Sequence, residues 1–222
     1  MNLSLHDYQP PPHQGLTIIF QDEDLLAVDK PSGLLSLPGR GAYKQDCLLA
    51  RVRLEYPEAL AVHRLDMATS GLMLLARNET MQSRLGRLFE QRQIEKRYIA
   101  VVAGQPTQDC DTIDLPLITD WPQRPLQKID HELGKRAISK YRLVDYDPAQ
   151  DISRIELIPE TGRTHQLRIH MQAIGHPILG DRLYAPAEIQ QKSERLLLHA
   201  ELLRFIHPVN RKEIEIKSEV PF

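Results

Sequence analysis

The apolar positions of this 222-residue chain follow two periods, and together they lay out its elements. Leu16–Phe20 and Leu25–Val28 are short apolar runs on either side of a polar tetrad, Gln21-Asp22-Glu23-Asp24, which predicts a β-hairpin. Lys30-Pro31-Ser32-Gly33 ends the second strand, because proline cannot donate to a ladder and glycine weakens one. Leu72–Leu75 is a continuous apolar run and reads as a buried strand. Helical spacing begins after Asn78, a residue suited to an N-cap. Leu85, Leu88 and Phe89 recur at i, i+3 and i+4, so a helix is expected to reach about Gln91 and lay that stripe on a sheet. Lys96–Ala103, Ile138–Tyr146 and Ile152–Ile158 predict three further strands. Thr164 can cap a short helix through Ala173, and Leu196–Ile206 and Glu213–Lys217 close the chain as strands.

Two stretches lack either period. Residues 1–15 hold three consecutive prolines and predict a flexible N-terminal arm. Trp121–Pro125, WPQRP, predicts an exposed loop between strands, because Pro122 and Pro125 exclude regular structure. Strands outnumber helices and do not alternate with them. The expected class is therefore α+β, with a central, mostly antiparallel mixed sheet flanked by helices and loops. No internal repeat is visible.

Composition narrows the function classes. Apolar residues make up 41% and charged residues 26%, as in water-soluble globular proteins. No apolar run is long enough to span a bilayer, and the first residues lack the basic and apolar regions of a secretion signal, so a cytoplasmic protein is expected. Cys47 and Cys110 stand far apart with no second cysteine or histidine at ligand spacing, so both are read as reduced and no metal is expected. The net charge of -2 does not suggest a nucleic-acid binder. Charge is uneven, however: residues 1–50 carry 3 Lys/Arg against 6 Asp/Glu, whereas residues 51–100 carry 9 against 6. A local basic face can hold phosphates on a protein that is neutral overall.

The chemistry concentrates at His63–Ala76, HRLDMATSGLMLLA. Asp66 lies between the cationic pair His63-Arg64 and the small polar stretch Ala68-Thr69-Ser70-Gly71, at the lip of the buried strand. An acid there is costly to desolvate unless it is paired, and functional acids are often found in such places. The run resembles the signature HRLDxxTSGLxxxA of the RluA-type RNA pseudouridine synthases. KPSGL (Lys30–Leu34), EKRYIA (Glu95–Ala100), TGRTHQLRIH (Thr161–His170), GHPILGD (Gly175–Asp181) and LLLHA (Leu196–Ala200) follow the same family in order. One departure is Ala185, where LYG is common and this chain has LYA.

The resemblance implies a catalytic domain over residues 16–222, with no S4 RNA-binding domain ahead of it, that converts uridine to pseudouridine without a cofactor. Asp66 is the implied catalytic carboxylate. Arg168 is expected to pair with it, and Tyr98, in the Lys96-x-Tyr98 pattern, to offer a ring and a hydroxyl to the base. Arg64 is expected to fill the gap left by a flipped-out uridine. His63, Thr69, Leu167 and Lys96 complete the expected substrate contacts, although His63 and His199 also suit structural hydrogen bonding. His165 and His170 are five apart, which does not place them on one helix face for a metal. Asp114–Lys128, DLPLITDWPQRPLQK, points within the family to members of dual specificity, acting on a 23S rRNA hairpin loop and a tRNA anticodon stem-loop. A monomer is expected. A noncatalytic RNA-binding module would be expected to lose Asp66 or Arg168, and this chain keeps both. A small-molecule hydrolase would need a GxSxG, HExxH or paired-carboxylate pattern, which is absent.

Overall fold

The computed structural model describes residues 8–222. Its strands are β1 (Thr17–Gln21), β2 (Leu25–Lys30), β3 (Leu60–Ala61), β4 (Ser70–Ala76), β5 (Glu95–Ala103), β6 (Cys110–Asp114), β7 (Leu117–Thr119), β8 (Gln127–Ile129), β9 (Ile138–Asp147), β10 (Ile152–Pro159), β11 (Leu198–Ile206) and β12 (Glu213–Lys217). Its α-helices are α1 (Leu48–Val52), α2 (Glu79–Glu90), α3 (Gln166–Ala173) and α4 (Ala187–Gln190). The class is α+β, as expected. Backbone contacts divide the chain into two compact units, one running to Glu95 and including Ala200–Glu219, the other Lys96–His199 with Val220–Phe222.

In the first unit β1 and β2 form the predicted hairpin, and the Asp22 carboxylate closes it by accepting the N–H groups of Asp24 and Leu25, each at 2.8 Å. Strand β2 pairs antiparallel with β4 from Leu25 opposite Ala76 to Lys30 opposite Gly71. Both faces of this pair are covered. Leu25, Ala27, Leu72 and Leu74 pack with Met81 and Leu85 of α2, whereas Leu26, Val28, Met73 and Leu75 pack with Leu48, Leu49 and Val52 of α1. Burial on both faces is why these strands read as unbroken apolar runs. The α1 helix, unforeseen in the sequence, is too short to show a helical period. Asn78 caps α2 as expected, its Oδ1 accepting the Met81 N–H at 2.8 Å.

Gly71 has φ +110°, and a Cβ there would lie 2.3 Å from the Ala200 carbonyl oxygen. Only glycine lets the β11 backbone come this close to the start of β4.

Residues 1–7 of the expected arm lie outside the described residues. The rest of it is tied down. The Tyr8 hydroxyl accepts the Leu35 N–H at 3.0 Å and donates to the Asp46 carbonyl at 2.9 Å. Arg51, only 7% exposed and ion-paired with Asp46, donates to the Pro11 carbonyl at 2.6 Å. A nearly buried guanidinium needs acceptors on several sides, and the proline segment supplies one.

In the second unit β5, β10, β9 and β6 pair in that order, all antiparallel. Strands β7 and β8 form a separate hairpin around the predicted WPQRP loop, which contains a single 3-10 turn, Trp121–Gln123. The strands β6, β7 and β8 escaped the sequence reading because they span three to five residues, too few to establish alternation. The predicted Thr164 cap is corrected. His165, at φ 55°, precedes α3 in a left-handed conformation, where a side-chain cap needs extended backbone. Gln166 reaches back instead, its Oε1 accepting the Arg163 N–H at 3.0 Å.

Candidate active site

Asp66 is half-buried on the loop that leads into β4, and that loop is held from the KPSGL segment. The Ser36 hydroxyl accepts the Leu65 N–H at 3.0 Å and donates to the Leu65 carbonyl at 2.7 Å. The Met67 carbonyl accepts from Lys30 Nζ at 3.1 Å and from the Gly33 N–H at 2.9 Å. The Ala68 carbonyl accepts from the Ser32 hydroxyl at 2.7 Å. The residues on both sides of Asp66 are thereby fixed, and its own carbonyl closes a turn by accepting the Thr69 N–H at 3.2 Å. A carboxylate on a braced backbone loses little freedom when it reacts.

Lys30 is the centre of this brace. Its side chain is fully buried, and its ammonium also donates to the Pro31 and Leu34 carbonyls at 2.9 and 2.7 Å. A buried cation is tolerated because carbonyl dipoles replace its water. Lys30→Met keeps most of the stem and strands those carbonyls. It is expected to cost on the order of 2 kcal/mol, read as a lower urea midpoint with an unchanged slope. An unchanged midpoint would show that the brace carries no stability.

Of the other expected residues in this unit, Arg64 is exposed and, among the described residues, has no hydrogen-bond or ion-pair partner. His63 and Thr69 lie against β4. His63 Nε2 accepts the Leu74 N–H at 2.8 Å and its ring stacks on Phe89, 4.4 Å between centroids, while Thr69 is only 3% exposed. The His63 bond helps hold the start of the run to β4.

The basic stretch of residues 51–100 is also less available than its count suggested. Arg51, Arg77 and Arg97 are ion-paired with Asp46, Glu58 and Glu156.

In the second unit Lys96 and Tyr98 are half-buried and, two apart on β5, share one face of the strand, with Leu157 of β10 opposite Tyr98. Arg168 is 3% exposed on α3, and within this unit it forks onto Asp181, a residue that no single motif position marks. Its Nε and Nη2 donate to the two carboxylate oxygens at 2.8 and 2.5 Å. The bidentate fork fixes the plane of the guanidinium. Asp181 is only 1% exposed and also accepts the N–H groups of Leu183 and Tyr184 at 3.0 and 3.2 Å. The Tyr184 ring lies under the guanidinium, 5.1 Å from centroid to carbon, and its hydroxyl meets His165 Nδ1 at 2.6 Å and accepts the Gln127 N–H at 3.0 Å. Asp181 ends the GHPILGD segment, which was the one signal available for it. Leu167, expected against substrate, is 7% exposed and belongs to the interior of this unit.

His170 has a structural role. Its Nε2 faces the Leu115 carbonyl at 3.0 Å, so that nitrogen carries the proton and Nδ1 accepts from the Ser139 hydroxyl at 2.9 Å. Burial pushes its pKa below the usual 6.5. With a lowered folded pKa, the unfolded chain takes up a proton that the folded chain refuses as pH falls below 6.5. Stability is then present above that pH and is lost below it, by at most about tenfold in the folding constant per pH unit. Urea melts at about pH 7.5 and about pH 5 should show a smaller acid loss for His170→Gln than for the wild type. Equal losses would assign the acid sensitivity elsewhere.

Among the described residues, Asp22, Asp24 and His207 bring ligand atoms within 4.8 Å of one another. His207 Nδ1 accepts the N–H groups of Val209 and Asn210 at 3.2 and 3.3 Å, so a neutral ring carries its proton on Nε2, which faces Asp22 at 3.2 Å. That nitrogen lies near the acid without a hydrogen bond in good geometry, and with its proton in place it offers no lone pair to a metal.

Comparison with known proteins agrees with these motifs. The model of the RNA pseudouridylate synthase family matches residues 24–173, a span that holds KPSGL, the Asp66 run, Tyr98 and Arg168. The dual-specificity RNA pseudouridine synthase RluA of Escherichia coli (strain K12) is 46% identical over 220 residues, 99% of this chain and 100% of the relative. Among solved structures, human RNA pseudouridylate synthase domain containing 1 matches with a TM-score of 0.79 and 28% identity over 96% of this chain and 87% of its own. The human domain containing 4 protein, at 24% identity, shares the fold, with a TM-score of 0.74 over 92% of this chain and 88% of its own. With identity running the whole length and the family match enclosing the braced aspartate, the chain belongs to the RluA family of RNA pseudouridine synthases.

Proposed function

We propose that this chain isomerises uridine to pseudouridine in two structured RNAs, a 23S rRNA hairpin loop and a tRNA anticodon stem-loop, with Asp66, Tyr98 and Arg168 as the catalytic set. The observation that carries this reading is the half-buried Asp66 on a loop pinned on both sides by residues Lys30 to Ser36. The dual specificity follows the name of the Escherichia coli relative. Residues 16–222 act as one catalytic domain, a cytoplasmic monomer that uses no cofactor.

The reaction breaks the N1–C1′ bond and forms C5–C1′. The proton on C5 leaves for solvent and N1 gains one, so atoms and electrons balance with no donor or oxidant. The Asp66 carboxylate has three chemically sound roles: nucleophile at C1′, nucleophile at C6, or base toward the sugar. Tyr98 offers a ring to the base, and base–aromatic stacking is worth about 1–3 kcal/mol. Arg168 is the fixed cation of the site. The exposed Arg64 takes the space of the departing uridine, and Lys96 contacts the RNA backbone. An already unpaired loop uridine is the cheapest to flip, which favours loop targets.

Tritium release from C5-labelled uridine tests this reading in an anticodon stem-loop and in an rRNA hairpin. Release from both establishes dual specificity. Release from one alone would make the enzyme a single-substrate synthase. Release from neither would remove both RNAs as substrates.

A further inference from the structure

The proposed chemistry leaves the WPQRP loop unused. Its Trp121, the chain's single tryptophan, is 65% exposed. The Arg124 guanidinium lies over the indole, 3.2 Å from carbon to ring centroid. Among the described residues, Arg124 has no carboxylate or hydrogen-bond partner for its side chain. Four other exposed cations of the same unit do: Lys128 faces Asp130, Arg136 faces Asp114, Lys140 faces Glu160 and Arg142 faces Glu156. An exposed indole carrying an uncompensated cation is a poor way to stabilise a fold and a good way to meet an anionic polymer that has flat bases.

The loop is also held in place. The Asp120 N–H donates to the Leu126 carbonyl, the Gln123 N–H to Asp120 and the Leu126 N–H to Gln123, each at 3.0 Å, and Pro122 stiffens the turn. The flanking β7–β8 hairpin reaches the Arg168 cluster through Gln127, whose N–H donates to the Tyr184 hydroxyl. The same tyrosine lies beneath Arg168. A rigid aromatic platform is thus wired to a proposed catalytic residue by a short chain of contacts. Arg124 covers one face of the indole, and the exposure of the ring leaves surface for a second stacking partner.

Resting on the proposed RNA reading, we infer that the Trp121–Arg124 stack is a docking platform for an unpaired base in the loop of the RNA substrate. The base stacks on the indole, and the Arg124 N–H groups face the adjoining phosphate. The hairpin therefore takes part in choosing the RNA as well as holding it.

Because Trp121 is the single tryptophan, fluorescence reports on this site alone. Titration of the wild type with an anticodon stem-loop should quench it strongly. Trp121→Ala should weaken binding of the same RNA by about tenfold, while Trp121→Phe, which keeps a stacking face, should stay within about threefold of the wild type. The loss in Trp121→Ala should sit in KM, with kcat falling less. Stem-loops carrying an abasic site at one loop position after another should include one for which the difference between wild type and Trp121→Ala disappears. RNA that binds without quenching, or equal binding by wild type and Trp121→Ala, would overturn the platform. Tritium release by the wild type on the same RNA reads the isomerase function separately. Quenching without release would retain the platform and reject that RNA as substrate, and release without quenching would do the reverse.

Discussion

Asp66→Asn protein is expected to bind the anticodon stem-loop as the wild type does and to release no tritium, a loss of at least about 10⁴-fold, the scale seen when a reacting group is removed. The amide keeps the shape and half-burial of the carboxylate but cannot act as nucleophile or base. The brace acts on the neighbours of Asp66 through backbone and carbonyl bonds to Leu65, Met67 and Ala68, none of which involves the Asp66 side chain. The fold should therefore survive, and the melting temperature should stay within a few degrees of the wild type. Equal release by both proteins would remove Asp66 from the chemistry. Loss of release together with loss of RNA binding or of folding would assign it a structural role.

The second large effect concerns the buried pair Arg168–Asp181. Arg168→Met leaves the Asp181 carboxylate, 1% exposed, with the N–H groups of Leu183 and Tyr184 but without its bidentate cation. Breaking a buried pair from one side costs about 3–5 kcal/mol, because the remaining charge has lost its counter-ion and cannot recover water. Asp181→Leu should cost a similar amount by removing the bidentate carboxylate from the buried guanidinium. The double variant Arg168→Met/Asp181→Leu removes both charges and should recover to within about 2 kcal/mol of the wild type in urea melts. It should still release no tritium if Arg168 is catalytic. A double variant that is both stable and active would confine Arg168 to structure. Single variants that melt like the wild type would show that the pair contributes nothing to stability.

Local signals carried much of the fold. The β1–β2 hairpin, α2 with its Asn78 cap, and the strands β5, β9, β10 and β12 follow from apolar periods and turn residues a few positions apart. The elements that escaped, α1, α4, β3, β6, β7 and β8, are too short to show a period. The entry to α3 was misassigned to Thr164 because a left-handed residue at His165 leaves no mark in the pattern. The arm was expected to be loose because proline runs usually are, yet Tyr8 and Pro11 are tied down by partners 27 to 40 residues away.

The sequence by itself determined the family and the order of the motifs, since these reside in short runs of residue types. Tertiary structure alone decided what those motifs hold. KPSGL marks a break in a strand until Lys30 is seen donating to the Met67 carbonyl, 37 residues on. No motif announced that Arg168 holds Asp181 in a buried fork, and His63 proves to accept the Leu74 amide. The physical reason is the same in each case. A residue type states what a side chain can donate or accept, but burial removes water as the default partner, and only the folded chain determines which group replaces it.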